Sequence, residues 1–205
     1  GEEVEIPLDT RLTPAQNAQR YYKKYAKAKS ARSHLSEQIV LSEREIEYIA
    51  SVQDALVRAE TEKELAEIRA ELARAGYASG LKIPKSKESS RPSYLTFKTR
   101  NGYTVYCGKN NTANDWLTFK KADRRDWWFH AKGMAGSHVI MECASLEEPP
   151  AEDFTDACMI AAVYSKAAER PSAEIDYTLV KNVKKPPESK PGYVIYHTNW
   201  SANVP

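Results

Sequence analysis

Along the first third of the chain, apolar side chains return every three or four residues. In the second half they return every second residue, in short runs broken by Gly, Pro and Asn. That change of period predicts helices first and strands afterwards. Thr13-Pro14-Ala15-Gln16 supplies a helix start, with Thr13 as N-cap, Pro14 at the first helical position and Gln16 closing a capping box. From there the pattern carries a helix to about Ala59, roughly 70 Å at 1.5 Å per residue. Tyr21, Ala28, Leu35, Ser42, Ile49 and Leu56 lie seven apart, and Tyr25, Arg32, Ile39, Ile46 and Gln53 form the alternating set of a heptad, broken at Arg32, Ser42 and Gln53. A second helix starts at Thr61, boxed by Glu64, carries Leu65, Ile68, Leu72 and Ala75 on one stripe, and ends at Gly76. It is too short to cover the long seam. The covering helix is therefore expected from a segment N-terminal to Gly1, with dimerisation through the unpaired seam as the alternative.

Residues 79–92, rich in Ser, Pro and Lys, read as a linker. Beyond it, residues 94–99 and 103–108 alternate around Asn101-Gly102, a strong hairpin signal. A short helical piece is expected over 114–121, and strands over 126–131 and 137–142 joined by a glycine-containing turn. After Pro149-Pro150 a helix over 152–169 would pack Phe154, Ala157, Cys158, Ala161, Tyr164 and Ala168 inward. Strands are expected over 174–183 and 193–198, separated by a stiff basic loop over 184–192. The fold class is α+β: a long α-helical coiled-coil arm (1–78), the linker (79–92), and a compact, mostly antiparallel sheet domain with flanking helices (93–205).

Charge matters through its distribution. The net charge is only +2, yet no acid occurs between Asp9 and Glu37, an interval holding Arg11, Arg20, Lys23, Lys24, Lys27, Lys29 and Arg32 with Tyr21, Tyr22 and Tyr25 among them. A merely solvated helix face mixes signs, so this basic tip suits a phosphate backbone or an acidic protein surface. The three cysteines are odd in number and widely spaced, which favours free thiols in a reducing compartment. No apolar run approaches a membrane span.

The densest chemistry lies in residues 126–138, where thirteen residues hold two Trp, two His, Asp, Lys, Ser and two Gly. Strand alternation puts Trp128 and His130 on one face. Either the rings are core and Asp126, His130, Ser137 and His138 satisfy one another in a buried network, or the set faces a ligand. Upstream, Gly108-Lys109-Asn110-Asn111 with Asn114 and Asp115 offers backbone and amide donors to an anion, or else caps a helix. Lys181, Lys184, Lys185 and Lys190 are either solvated or line a phosphate path. An enzyme is the rival class, since Ser137, His138, His130 and Asp126 superficially supply triad chemistry. The Gly-x-Ser-x-Gly elbow is missing, however, and adjacent Ser137 and His138 should point to opposite faces. A zinc site from His130, His138 and Cys143 lacks standard spacing. No catalytic residue, metal or cofactor is expected.

Several motifs in fixed order resemble the NFACT family. Gly108-Lys-Asn-Asn-x-x-Asn-Asp115, Asp126-x-Trp-Phe-His130, Gly136-Ser-His-Val139, Asp176-Tyr-Thr-x-Val-Lys181, Lys184-Lys-Pro186 and Lys190-Pro-Gly192 are similar to its NFACT-R domain. Ile6-Pro-Leu-Asp9 and the segment from Asn17 to Lys27 resemble the distal coiled coil of its bacterial branch, the RqcH proteins long labelled fibronectin-binding protein A. The resemblance implies a cytoplasmic, ribosome-associated quality-control factor. Such a factor binds the large ribosomal subunit (rRNA and stalk-region protein) and tRNA, and supports untemplated alanine tailing of stalled nascent chains. It implies RNA contacts from Lys109, Asn110, Asn111, Asn114, Asp126, Trp128, His130, Ser137, His138, Lys181 and Lys184. In this reading the histidines donate to phosphate or ribose and Asp126 orients one of them. It implies ribosome or partner contacts from Arg20, Lys23, Lys24 and Lys27 at the coiled-coil tip. The old family label keeps a surface adhesin binding fibronectin as the alternative.

Overall fold

The computed structural model describes residues 3–77, 91–143 and 148–205. It divides into two compact units, Gly1–Glu45 and Ile46–Pro205. The division falls inside the long helix rather than at 79–92. Residues 46–77 pack with the sheet domain, and most of the expected linker lies outside the described residues.

Helix α1 spans Pro14–Val57. Its start is built as the capping box requires: Thr13 N–H donates to Gln16 Oε1 at 2.8 Å, and Gln16 N–H to Thr13 Oγ1 at 3.2 Å. In the first unit the buried Asn17 amide bonds the carbonyls of Asp9, Leu12 and Thr13 and accepts from Asp9 N–H, fastening the extended entry chain to the helix. The heptad positions Leu35, Ile39, Ile46, Ile49 and Leu56 are all exposed. Helix α2 (Glu62–Arg74) packs Ile68 on a different row of α1, that of Tyr48, Val52 and Ala55. Over Ile46, Ile49 and Leu56 the seam stays exposed because α2 takes the neighbouring stripe.

The sheet is six-stranded and wholly antiparallel, in the order β1 (Tyr94–Lys98), β2 (Thr104–Gly108), β4 (Val139–Met141), β3 (Trp127–Ala131), β5 (Ala173–Leu179), β8 (Trp200–Val204). Gly102, at φ +90°, closes the β1–β2 hairpin through a three-residue loop bounded by Thr99 and Tyr103. Strands β6 (Val183–Lys184) and β7 (Ile195–Tyr196) form a separate ribbon. One sheet face packs Val105, Phe129, Val139, Met141 and Ile175 against α4 (Ala151–Val163). The other packs Trp128 and Ile140 against Leu117, Val180 and Val183. Helix α3 (Asn111–Trp116) and the π-helical turn that extends it (Leu117–Lys121) supply part of that second layer.

Three expectations need correction. The helix after Pro150 stops at Val163, because Ser165 is extended and caps a separate 3-10 turn; Ala167, not Ala168, is therefore the buried alanine. Strand β5 ends at Leu179, three residues of 3-10 helix intervene, and the expected 193–198 strand shrinks to two residues. Strand β8 was not foreseen.

Candidate nucleic-acid interface

The Gly108–Asn114 loop is the first surprise, because its polar side chains face inward. Glu64, Glu67 and Glu71 occupy one face of α2 at i, i+3 and i+7, and each holds a successive residue of the loop. Lys109 Nζ reaches Glu64 Oε1 at 2.6 Å, Asn110 Nδ2 reaches Glu67 Oε2 at 2.8 Å, and Asn111 Nδ2 reaches Glu71 Oε1 at 2.9 Å. Glu71 also accepts from the Thr112 amide and hydroxyl. Burial pushes the Glu71 carboxyl up, against the pull of those donors. Burial works to raise Glu64 too, but Lys109 and the Glu60 and Thr61 amides outweigh it and hold that carboxyl below its ordinary value. Asn110 caps α3 by accepting from Ala113 N–H at 2.8 Å. Asn114 lies directly against Gly108, where any Cβ would collide with its side chain; it accepts from His138 N–H at 3.0 Å and donates to the Gly136 carbonyl. The three asparagines are buried.

The aromatic stretch also turns inward, and it brings the two histidines together. Trp128 stacks on His130 with ring centroids 5.6 Å apart, and His138 meets both edge-on, at 5.2 and 5.5 Å. Tyr196 closes the cluster over Trp128. Trp128 and His138 are fully buried. Burial brings the His130 pKa down to about 4, with the Gly136 backbone and Asp176 pulling the other way. Burial and the neighbouring His130 hold His138 well below its ordinary range. Both imidazoles are therefore neutral at pH 7. They form part of the framework, and His138 has no path to an outside phosphate.

Asp126 orients neither histidine. Its carboxylate accepts from the Asp123 and Cys143 amides, at 2.7 and 2.8 Å, and so clamps the entry to β3 against the exit of β4. The buried carboxylate on the histidine side is Asp176, paired with His130 across the sheet and accepting from Tyr196 and Ser201 hydroxyls. The partner of His138 is Thr118, whose hydroxyl lies 2.8 Å from Nδ1. Ser137 turns the other way and donates to the Gly108 carbonyl, with Arg58 3.4 Å from its hydroxyl. Among the described residues no group of three or more His, Cys, Asp or Glu side chains is placed to hold a metal.

Exposure belongs to the cations at the margins of this face. Lys181 and Lys184 are exposed, and the Lys181 amide donates to the Arg124 carbonyl at 3.2 Å, which brings exposed Arg124 beside them. Lys120 is exposed on the last π-helical turn. Lys185 instead pairs with Asp115, and Lys190 sits over the Tyr48 and Tyr77 rings. In the first unit Arg20 pairs with Asp9 at 3.3 Å, while Lys23, Lys24 and Lys27 are exposed beside Tyr22 and Tyr25.

The parts that Glu64, Glu67, Glu71, Thr118, Asp176 and Tyr196 play here are not in the sequence reading, where Glu64 stands only as a helix cap and Asp176 only as a motif position. One signal was there to read: Glu64 and Glu71 share the helical row of Ile68, where an amphipathic helix puts its core.

Comparison with known proteins gives a consistent result. Residues 1–91 match the NFACT N-terminal and middle domains, and residues 93–198 match the NFACT protein RNA binding domain. The chain is 38% identical over 203 residues to the Rqc2 homolog RqcH of Bacillus subtilis (strain 168), covering 98% of this chain and 35% of that protein. It is 41% identical over 205 residues to the Rqc2 homolog RqcH of Streptococcus suis (strain 05ZYH33), covering 100% of this chain and 36% of that one. The chain thus spans about a third of the length of these relatives. Among solved structures, the C-terminal part of the fibronectin/fibrinogen-binding protein from Streptococcus suis superposes with a TM-score of 0.81 at 38% identity, covering 93% of this chain and 76% of that one.

Proposed function

Because this chain belongs to the NFACT family, we propose that it is the RNA-contacting and ribosome-docking part of a ribosome quality-control factor. In this reading it works in the cytoplasm on the large ribosomal subunit and tRNA, and supports alanine tailing of stalled nascent chains without catalysing a reaction itself. The observation that carries the reading is the NFACT protein RNA binding domain over 93–198, whose exposed cations gather at Lys120, Arg124, Lys181 and Lys184 around one sheet face. Cations in such an arrangement neutralise phosphates without reading sequence. Lys109, Asn110, Asn111, Asn114, Asp126, Trp128, His130, Ser137 and His138 then serve RNA indirectly, by fixing the loops that carry the cations. The separate basic interval at Lys23, Lys24 and Lys27 is assigned to rRNA or a stalk-region protein. The exposed apolar row of α1 is left to a further helix; sedimentation of the chain as a dimer would assign it to a second copy instead.

The test is binding to purified large subunits and to tRNA across a salt series. Native chain should lose affinity steeply as salt rises, and Lys181→Glu/Lys184→Glu should bind more weakly with a shallower salt slope. Salt-independent binding, or a variant that binds as the native chain does, would sink the assignment. A second reading, fibronectin binding, is favoured only by the description of the Streptococcus suis relative. Saturable binding of immobilised fibronectin at physiological salt, with no ribosome binding, would put it first.

A further inference from the structure

Along β1 and β2, alternation sets Tyr94, Thr96 and Lys98 on the same face as Thr104 and Tyr106, with Thr96 opposite Tyr106 and Lys98 opposite Thr104. This is the face that carries Trp128 and Ile140, which are sealed beneath a second layer. Across β1 and β2 the cover runs out: Thr96 and Lys98 are exposed and Tyr106 is only partly covered. What remains is an open shelf of sheet, bordered by the end of α3.

The shelf is furnished with rings and cations. Trp116 stacks on Tyr94 with centroids 5.7 Å apart and an interplanar angle of 16°, and Tyr94 meets Tyr106 edge-on at 5.8 Å. Lys121 Nζ stands 3.9 Å from the centre of the Tyr106 ring. Lys98 Nζ donates to the Gly102 carbonyl and the Thr104 hydroxyl, both uncharged. Among the described residues no ion pair joins Lys98, Lys120 or Lys121 to a carboxylate. One acid is close, Glu142, which accepts from the Tyr106 hydroxyl at 3.1 Å. Tyr94 also borders a cleft of about 360 Å³ whose walls include Arg91 together with Lys63 and Lys109, the last two paired with Glu67 and Glu64 of α2.

Flat rings at a solvent margin, with lysines beside them that form no ion pair among the described residues, match a chain of bases and phosphates. Duplex RNA keeps its bases stacked within the helix and can offer such rings only its backbone. A single strand offers the π-face of every base, and each base stacked on an aromatic contributes about 1–3 kcal/mol. The geometry points to the β1–β2 shelf as a binding site for single-stranded RNA, with bases stacking on Tyr106 and on the Tyr94–Trp116 pair while Lys98, Lys120 and Lys121 neutralise the phosphates. The inference rests on the RNA-binding reading and sharpens it, because it names the strandedness of the RNA and a part of the surface no sequence motif marked.

The experiment measures anisotropy of a labelled oligouridine of about 12 nucleotides and of a blunt RNA duplex of equal charge, each titrated with the 205-residue chain. The single strand should bind at least about tenfold more tightly than the duplex. Tyr106→Leu, which keeps apolar bulk but removes the π-face, should weaken single-strand binding about 5- to 100-fold, leave duplex binding unchanged, and be rescued in Tyr106→Phe. Lys98→Glu/Lys120→Glu changes exposed positions, with an unchanged unfolding midpoint as the check on the β1–β2 hairpin, and it should weaken the single strand and flatten its salt dependence. Equal affinity for both RNAs, or native single-strand binding by both Tyr106→Leu and Lys98→Glu/Lys120→Glu, overturns the shelf. If Lys181→Glu/Lys184→Glu still lowers RNA affinity in that case, the RNA-binding reading survives without it. Failure to bind either RNA at low salt overturns both.

Discussion

Beneath α4 the sheet presents Val105, Phe129, Val139, Met141 and Ile175, while on the opposite face the same strands present Trp128, His130, Ile140, Asp176 and Thr178. The first face asks only for shape and volume, and hydrophobic side chains supply both. The second asks for named partners: Asp176 for two hydroxyls, His138 for Thr118 and Asn114, and Thr178 for the Thr198 carbonyl and Asn182. Residues that resemble ligands in the sequence are on this face because a buried polar group must be satisfied there. The contrast separates two roles that a motif runs together. Framework polarity is buried and, apart from the Trp128 indole N–H, largely paired internally, whereas the cations proposed to bind lie at the edge where cover stops.

The two faces should respond differently to perturbation. Phe129→Ala on the apolar face removes a ring packed between Phe154 and Tyr177 and should cost about 3–5 kcal/mol in urea unfolding with no dependence on pH. Acid should act on the polar face through its imidazoles. The His130 pKa is depressed to about 4 from 6.5 in the folded chain. The unfolded chain therefore takes up the proton first, and the stability present above pH 6.5 is lost as pH falls toward 4. For His130 this amounts to about 2 kcal/mol by pH 5, and the depressed His138 acts in the same direction. The raised carboxyls of Glu71 and Asp126 act in the opposite sense above their ordinary range, so the imidazole contribution is read as the difference between native chain and a histidine variant. His130→Gln/His138→Gln should flatten that slope; an unchanged slope would locate the acid sensitivity elsewhere. Asn114→Ala leaves the buried His138 N–H without its acceptor and should cost about 1–3 kcal/mol. If the loss is as small as for a surface position, the polar face is not the demanding one.

The sequence announced elements that announce themselves locally. The Thr13 and Thr61 caps, the Asn101-Gly102 hairpin and the pairing of Trp128 with His130 each depend on residues a few positions apart, and each stands in the structure. What stayed hidden depends on partners far along the chain. Asn110 and Asn111 read equally well as anion donors until Glu67 and Glu71, some forty positions earlier, are brought against them. Strand β8 carries Ser201, Ala202 and Asn203, a run with little alternation, and is a strand because β5 offers it an edge. The end of α4 has a similar cause, since the Gly136 backbone packs against Ser165. Of the surface proposed to bind, Lys181 and Lys184 were legible in the sequence, but Lys98, Lys120, Lys121 and the shelf they border were not, because exposure is a property of what fails to cover a strand.

The glutamate ladder of α2 has a consequence for how the molecule opens. Glu64 closes the start of α2 while holding Lys109, and Glu71 near its end holds Asn111 and Thr112. Neither helix nor loop can fray without stranding a buried charge or amide of the other. Hydrogen exchange should therefore report α2 and the Gly108–Asn114 loop as one cooperative unit, with amides at 64–68 and 112–114 released together. A protease cutting between residues 77 and 91 would nick the chain and leave two fragments still gripping one another. The segment that looks like a boundary in the sequence would then mark a cut in the covalent chain and not in the folded domain.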